Sequence, residues 1–250
     1  MRLTETAKRL IDPLEATLAT VAGFLDDKPF AAATAQRRFR IATADYVSAV
    51  LLPRLLDILA REAPHISVQI VTARKRSDED LLADRLDLII APSQLMGTTL
   101  FEARNFKRDD LHEALFVDRL VCVARGGSRL PAKLSVEEYL RRPHAGFFLD
   151  LDAHASLEQA YLQEHRVDQF QRILSANFSL LPLIVASSDC LALIPDSLAR
   201  LMAPLYKLRV LPCPLPVPDL DLVTIWHRRR DGDADLAWLR ATLKRCVPEL

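Results

Sequence analysis

Two strand–helix junctions constrain the fold of this chain most strongly. The first is the run RIATADYV at residues 40–47, and the second is ILSANFS at residues 173–179. In both, an apolar strand ends in small and polar residues, and a helix begins at once. Ligands of open α/β sheets bind at such junctions, because helix N–H groups lie there at the carboxyl end of a strand. One junction in each half of the chain predicts a cleft between two α/β lobes, an architecture that senses small molecules more often than it performs chemistry.

The segment after residue 38 alternates between strand and helix patterns. Short apolar runs are followed by stretches that place apolar residues on one helix face. This series implies a parallel sheet, since crossover helices connect parallel strands. The predicted elements are a strand at Phe39–Ala42, a helix at Asp45–Glu62, a strand at Val68–Thr72, a helix from Ser77 to Arg85 that starts with a capping box, and a strand at Leu86–Ala91.

Two segments are predicted to cross between the lobes. One is the long extended stretch Leu111–Ala124, and the other is the stiff, proline-rich run Pro212–Pro218. Two crossings make the first lobe discontinuous, so the predicted fold is a two-lobed, Rossmann-like α/β domain. Lobe I comprises residues 37–116 plus 219–250, and lobe II comprises residues 117–218. Lobe II is predicted to hold helices at Ser135–Leu140, Ser156–His165, Ser179–Ala186 and Asp196–Leu201, and strands at Ala145–Leu149, Gln171–Ala176, Leu191–Ile194 and Leu208–Leu211.

Residues 1–28 are predicted to form one long helix ahead of the lobes. Apolar residues recur there at spacings of three and four, which gives the helix one apolar face, and Pro13 predicts a kink. This face could pack on its own domain. We favour the alternative, a protruding helix that pairs with a second copy of the chain and makes it a dimer or tetramer.

Composition narrows the range of functions. Lysine and arginine number 33, balanced by 33 aspartate and glutamate residues, whereas a domain that grips DNA usually has a basic excess. The four cysteines form no CxxC pair, which favours a reducing compartment. Neither a signal peptide nor a membrane span is expected, so the predicted location is cytoplasmic. No nucleotide-binding, metal-binding or hydrolase motif occurs, so no enzyme activity, cofactor or metal is expected.

The junctions supply the candidate ligand contacts. Thr43 and Ser48 come from the first junction, and Phe148, Asn177 and Ser179 come from lobe II. Helix capping by Thr43 or Asp45, and core packing of the aromatic side chains, are the alternative explanations. If the aromatic side chains reach the cleft, they suit a planar, mostly apolar ligand that polar groups orient.

The order of several motifs resembles the effector-binding domain of LysR-type transcriptional regulators. The matching runs are RFRIATADYVSAVLLPRLLDILAREAP from residue 38, LDLII from residue 86, LFVDRLVCV from residue 115 and ASSDCLALIP from residue 186. Residues 3–25 resemble the linker helix of that family. The TADY start and the absence of a glycine pair in ASSD are closer to the nodulation-regulator and aromatic-catabolism branch.

This resemblance implies a fold of the type II periplasmic-binding-protein kind, an effector between the lobes, and a change of oligomer geometry on binding. The family carries a winged helix-turn-helix ahead of the linker helix, which this sequence does not show. Contact with DNA is therefore expected only through that domain. Two alternatives remain open: a two-lobed small-molecule binding protein outside transcription, and an α/β enzyme.

Overall fold

The computed structural model describes residues 30–74, 76–95, 110–148 and 156–248. The chain divides into two compact units, Met1–Ala31 and Ala32–Leu250, and the fold described below belongs to the second. The predicted helix at residues 1–28 lies outside the described residues. Within the described ranges, no helix is long and apolar enough to cross a membrane.

The first sheet has five strands. Strand β1 (Arg37–Thr43), the second of the five in spatial order, pairs in parallel with the strand on each side of it, as predicted from the alternation of strands and helices. The last strand of the chain returns to this sheet and pairs antiparallel with both of its neighbours. In spatial order the strands are β2 (Ile66–Thr72), β1 (Arg37–Thr43), β3 (Leu88–Pro92), β10 (Leu220–His227) and β4 (Asp110–Asp118).

The second half of the chain forms two smaller sheets. Strand β5 (Leu120–Ala124) lies between β8 (Ala192–Pro195) and β9 (Arg209–Pro212) and is antiparallel to both. Strands β6 (His144–Phe147) and β7 (Gln171–Ser175) pair in parallel. Together with the first sheet, these sheets and their helices make the two-lobed α/β fold that the sequence predicted.

The predicted extended stretch Leu111–Ala124 is two strands that belong to different sheets. It breaks at Asp118, whose carboxylate accepts a hydrogen bond from the backbone N–H of Arg119 at 2.8 Å. The same carboxylate accepts from the hydroxyl and backbone N–H of Ser197, at the start of a helix from the second half of the chain. Asp118 therefore connects the crossing to that helix.

Seven α-helices are described, and most match the predicted ones within a few residues. They are α1 (Asp45–Glu62), α2 (Ser77–Leu82), α3 (Val136–Leu140), α4 (Leu157–Glu164), α5 (Leu181–Ala186), α6 (Asp196–Tyr206) and α7 (Ala234–Arg245). Helix α6 is longer than predicted because Pro204 lies in its last turn, where a missing N–H removes only one helical hydrogen bond.

The capping box predicted at Ser77 is wrong. The residue ahead of α2 is Arg76 in a left-handed conformation (φ 70°), and the Ser77 hydroxyl accepts a hydrogen bond from the backbone N–H of Arg74. The hydroxyl is thus occupied by the preceding turn and is not available to the helix. A capping box does start α3, where Ser135 and Glu138 bond each other's backbone N–H groups.

Candidate functional site

An apolar cleft lies at the predicted junctions. The space open to the centre of a water-sized sphere is about 70 Å³, within about 860 Å³ of unfilled space that includes open solvent. Both halves of the chain contribute to its walls. The first sheet and its connections supply Ala44, Tyr46, Ala73, Arg74, Ile90, Ala91, Pro92, Leu95 and Leu220, and the rest of the lining is Leu120, Phe147, Ser156, Leu157, Glu158, Phe178 and Leu193.

Three aromatic rings form one continuous wall of the cleft. The rings of Phe147 and Phe178 are stacked, with centroids 3.8 Å apart and an interplanar angle of 12°. Tyr46, from the start of α1, meets Phe178 edge-on, with centroids 5.3 Å apart. The wall therefore joins residues from both halves of the chain and is apolar.

Asp45 connects the two junctions directly. Its carboxylate accepts hydrogen bonds from the backbone N–H of Phe178 at 3.0 Å, the backbone N–H of Ser179 at 2.7 Å and the Ser179 hydroxyl at 2.5 Å. Neither Asp45 nor Thr43 caps α1, because the residue before that helix is Ala44 and no side chain bonds its first N–H groups. The Asp45 carboxylate of the first junction thus pairs with the N–H groups at the start of the 3-10 helix in the second junction.

Three hydroxyl groups at the first junction are buried without a hydrogen-bond partner among the described residues. They belong to Thr43, Tyr46 and Ser48. Burial raises the pKa of Tyr46 well above its usual value, and the negative charges of Asp118 and Asp45 raise it further, so this phenol stays protonated. Buried hydroxyls without partners are uncommon and costly, which makes each of these three groups a candidate for contact with a ligand.

One acidic residue is among those that line the cleft. Glu158 is only 5% exposed, yet it lines the cleft. Its Oε1 accepts hydrogen bonds from the Tyr139 hydroxyl and, at 2.9 Å, from the amide of Gln169. Burial raises the pKa of Glu158, and these two donated bonds oppose the rise. Tyr139 and Gln169 therefore hold the carboxyl group of this residue in place.

Each of the five residues predicted as ligand contacts is within two sequence positions of a residue that lines the cleft, and none of them is among the lining residues. Thr43 ends β1 and is 2% exposed. Ser48 is in the first turn of α1, and Phe148 follows β6, where its N–H donates to the Ser175 carbonyl. Asn177 precedes the 3-10 turn Phe178–Leu180, and the hydroxyl of Ser179 in that turn donates to Asp45.

Sequence reasoning missed the residues that lie one position away. Phe147 and Phe178 line the cleft, and the predicted contacts Phe148 and Asn177 are their neighbours in the sequence. Phe147 ends a strand, in which successive side chains alternate between two faces, so the choice between Phe147 and Phe148 depends on a shift of one residue. Glu158 lies two residues after Ser156, the N-cap of α4. Acidic residues are common in the first turn of a helix, so nothing in the sequence assigned Glu158 to the site. No sequence signal indicated that Tyr139 would bury it.

The described residues show no cluster of His, Cys, Asp and Glu that could hold a metal ion. All four cysteines are free. Burial raises the pKa of Cys213 and of Cys246 to about 11, and it raises that of Cys122 further, so these thiols stay protonated. They act as small apolar groups in the packing.

Known proteins resemble the chain in sequence and in fold. It is 28% identical to Nodulation protein D 1 of Rhizobium tropici over 243 residues, which cover 96% of this chain and 76% of the relative. The crystal structure of PA0477 from Pseudomonas aeruginosa superposes with a TM-score of 0.77 at 26% identity, covering 98% of this chain and 78% of the other. The regulatory domain of MexT, a transcriptional activator in the same organism, shares the fold with a TM-score of 0.69 at 22% identity, covering 86% of this chain and all of the other.

The family model for the LysR substrate binding domain matches residues 32–247. This range contains both junctions, the ten strands that the structure describes and every residue that lines the cleft, so the match covers the site as well as the scaffold. The resemblance inferred from the sequence motifs is confirmed, and an effector-binding role is favoured over a binding protein outside transcription. The chain belongs to the LysR family, as the effector-binding domain of a transcriptional regulator.

Proposed function

We propose that this protein senses a planar, mostly apolar small molecule in the cleft and acts by binding rather than by catalysis. The observation that carries this proposal is the aromatic wall of Tyr46, Phe147 and Phe178. The wall unites residues from both ends of the cleft, so a ligand stacked on it would contact both lobes at once. Such a ligand stabilises one relative arrangement of the lobes over others.

The moving parts we propose are the two lobes, with residues 37–116 and 219–250 in one and residues 117–218 in the other. The chain passes between the sheets next to Asp118 and again before Leu220. In many ligand-binding folds, the chain segments that connect two lobes act as a hinge. The change at the hinge would alter the geometry of a dimer or tetramer, and DNA contact would come from a domain of the regulator outside residues 32–247. The predicted site of action is the cytoplasm.

Thr43 and Ser48 keep their predicted role in this proposal. Their hydroxyls, like that of Tyr46, are buried and lack partners among the described residues. A polar group of the ligand, reached directly or through a bound water, would satisfy them. Phe148 and Asn177 adjoin the aromatic wall and are proposed as contacts at its edge. Ser179 would act together with Asp45 and contact the ligand only in a more open arrangement.

The experiment is a ligand titration with a variant that fills the cleft. Ala44→Trp places an indole where Ala44 lines the cleft, and Ala237→Trp places one on the exposed face of α7 as the matched control. A panel of planar aromatic compounds is screened by thermal shift, since a ligand of the native state raises the midpoint. We expect compounds that raise the midpoint of the wild type and of Ala237→Trp, and that have no effect on Ala44→Trp. Equal shifts in both variants, or no shift with any compound, would contradict the proposal.

A further inference from the structure

We infer that Asp45, Phe178 and Ser179 form a clasp that closes the cleft, and that a ligand enters only after this clasp opens. The clasp consists of the three hydrogen bonds that Phe178 and Ser179 donate to the Asp45 carboxylate. The inference rests on the proposed function, because it takes the cleft as the place where the ligand binds. It adds a conformational device that controls access to that place.

The clasp joins two parts of the chain that both line the cleft. Asp45 begins α1, just after strand β1 of the first sheet, and Ser179 lies in the 3-10 turn that follows β7. The neighbouring rings of Tyr46 and Phe178 line the cleft and meet edge-on, with centroids 5.3 Å apart. The hydrogen bonds of the clasp therefore hold together the two rings that make the aromatic wall continuous.

The cleft is nearly closed while the clasp is formed. The lining residues Ile90, Ala91 and Leu193 are at most 5% exposed. The centre of a water molecule can move within about 70 Å³ of the cleft. One water needs about 10–15 Å³ of such space, so only a few waters fit. A molecule with an aromatic ring can reach the buried lining residues only if the walls move apart.

The bonds of the clasp can break without leaving buried groups unpaired. Asp45, Phe178 and Ser179 are each only half-buried, as the structure places them at the edge of the cleft region and not in the core. Water can therefore replace each bond as it breaks, which keeps the free-energy cost of opening below that of breaking a fully buried bond.

The link between Asp118 and Ser197 differs from the clasp. Both residues are buried, so an unpaired carboxylate at this position would be costly. Asp118 also lies at the crossing between the sheets, where it pairs with Leu220 across β4 and β10. Opening should therefore break the clasp and keep this link, with the two paired crossing segments as the hinge.

The test measures how fast a thiol in the cleft reacts. Ala91→Cys places a thiol at a buried lining position, and N-ethylmaleimide, a small neutral reagent, modifies it at a rate that depends on opening. The native Cys122, Cys190 and Cys246 are buried and are not among the lining residues, so their modification reports unfolding of the rest of the protein. Mass spectrometry of peptides gives the rate at each position separately.

Asp45→Asn is the decisive variant, combined with Ala91→Cys. It weakens the clasp, so we expect modification at position 91 to become about tenfold faster or more, the effect of losing a hydrogen bond to a charged acceptor. Gly126→Ala is the matched control, because its clash with the Lys207 carbonyl also destabilises the fold but lies outside the clasp. In this control, the rates at position 91 and at the native cysteines should rise by the same factor. Ser179→Ala removes one of the three bonds, should give a smaller rise, and serves if Asp45→Asn does not fold.

A second measurement needs no substitution. The backbone N–H groups of Phe178 and Ser179 both donate to Asp45, so hydrogen exchange at these two amides reports opening of the clasp directly. We expect them to exchange about tenfold faster or more than the paired amides of β1 in the core of the first sheet, which exchange only on unfolding.

Three results would overturn the inference. They are modification at position 91 no faster with Asp45→Asn than with Gly126→Ala, modification with the clasp intact at the rate of an exposed thiol, and exchange of the Phe178 and Ser179 amides as slow as that of β1. None of these measurements uses a ligand, so the thermal-shift screen still decides the proposed function separately. If the clasp opens as expected and no compound shifts the melting midpoint, the proposed function falls alone, and the clasp still controls access to the cleft.

Discussion

The carboxylate of Asp45 accepts a hydrogen bond from the backbone N–H of Ser179 at 2.7 Å, so the start of one helix supplies the anion for the start of another. The two residues are 134 positions apart in the sequence and belong to the two strand–helix junctions. A helical start attracts an anion because its first N–H groups are unpaired. In this protein the anion is part of the chain, so the position is not open to a ligand while the bridge is formed.

Replacing Asp45 by Asn should destabilise the fold. The amide keeps one acceptor oxygen, but it loses the charge and the second acceptor that the Phe178 and Ser179 N–H groups use. We expect the free energy of unfolding, measured by urea denaturation, to fall by about 1–3 kcal/mol. Asp57→Asn, on the exposed face of the same helix, should change it by less than about 0.5 kcal/mol. Equal stability of the two variants would show that the bridge contributes nothing.

Thr43→Val and Ser48→Ala test the unpartnered hydroxyls at the first junction. Because these hydroxyls have no described partner, removing them should leave the free energy of unfolding unchanged or raise it. Affinity for a compound selected in the thermal-shift screen should fall about two- to tenfold, as expected for the loss of one neutral hydrogen bond. Unchanged affinity in both variants would remove Thr43 and Ser48 from the site.

Stability should depend on pH through His144. Burial lowers the pKa of this imidazole to about 4, from an ordinary value of 6.5, and its Nδ1 has no described partner. Between those two pH values the unfolded chain binds a proton that the folded protein does not, so the free energy of unfolding falls as the pH falls. The loss approaches about 3 kcal/mol by pH 4.

The measurement is urea denaturation at pH 7.5 and pH 4.5. We expect the wild type to lose more stability between these values than His144→Gln, whose amide can still donate to the Tyr139 carbonyl. His65→Gln, at an exposed position, should lose as much as the wild type. An identical pH dependence of all three proteins would contradict the role of His144.

Gly126→Ala should be destabilising for a steric reason. A Cβ atom at this position would lie 2.1 Å from the backbone carbonyl oxygen of Lys207, so the backbone would have to move. We expect a loss of about 1–3 kcal/mol in the free energy of unfolding. Gly232→Ala is the matched control, because its Cβ would meet no atom within 4 Å. A similar stability of the two variants would show that the turn adapts without cost.

The sequence predicted the frame of the molecule better than the details of its site. The apolar strand at Leu88–Pro92 and the amphipathic helix at Asp45–Glu62 follow from local periodicity, which a single sequence displays. The bridge from Asp45 to Ser179 depends on how the two halves pack, and no local pattern encodes it. Glu158 is an equivalent case, because its contacts with Tyr139 and Gln169 turn an ordinary first-turn acid into a buried group.

The most direct test of the central claim is a crystal structure of the protein with a compound that raises its melting midpoint. We expect the ligand to lie between the lobes, within about 4 Å of the rings of Tyr46 and Phe178, which is the distance of apolar contact. A second apolar groove, between helix α1 and strand β2 and lined by Leu56, Pro64 and Val68, offers an alternative position. A ligand bound in that groove, with the cleft unchanged, would contradict the assignment of the cleft as the effector site.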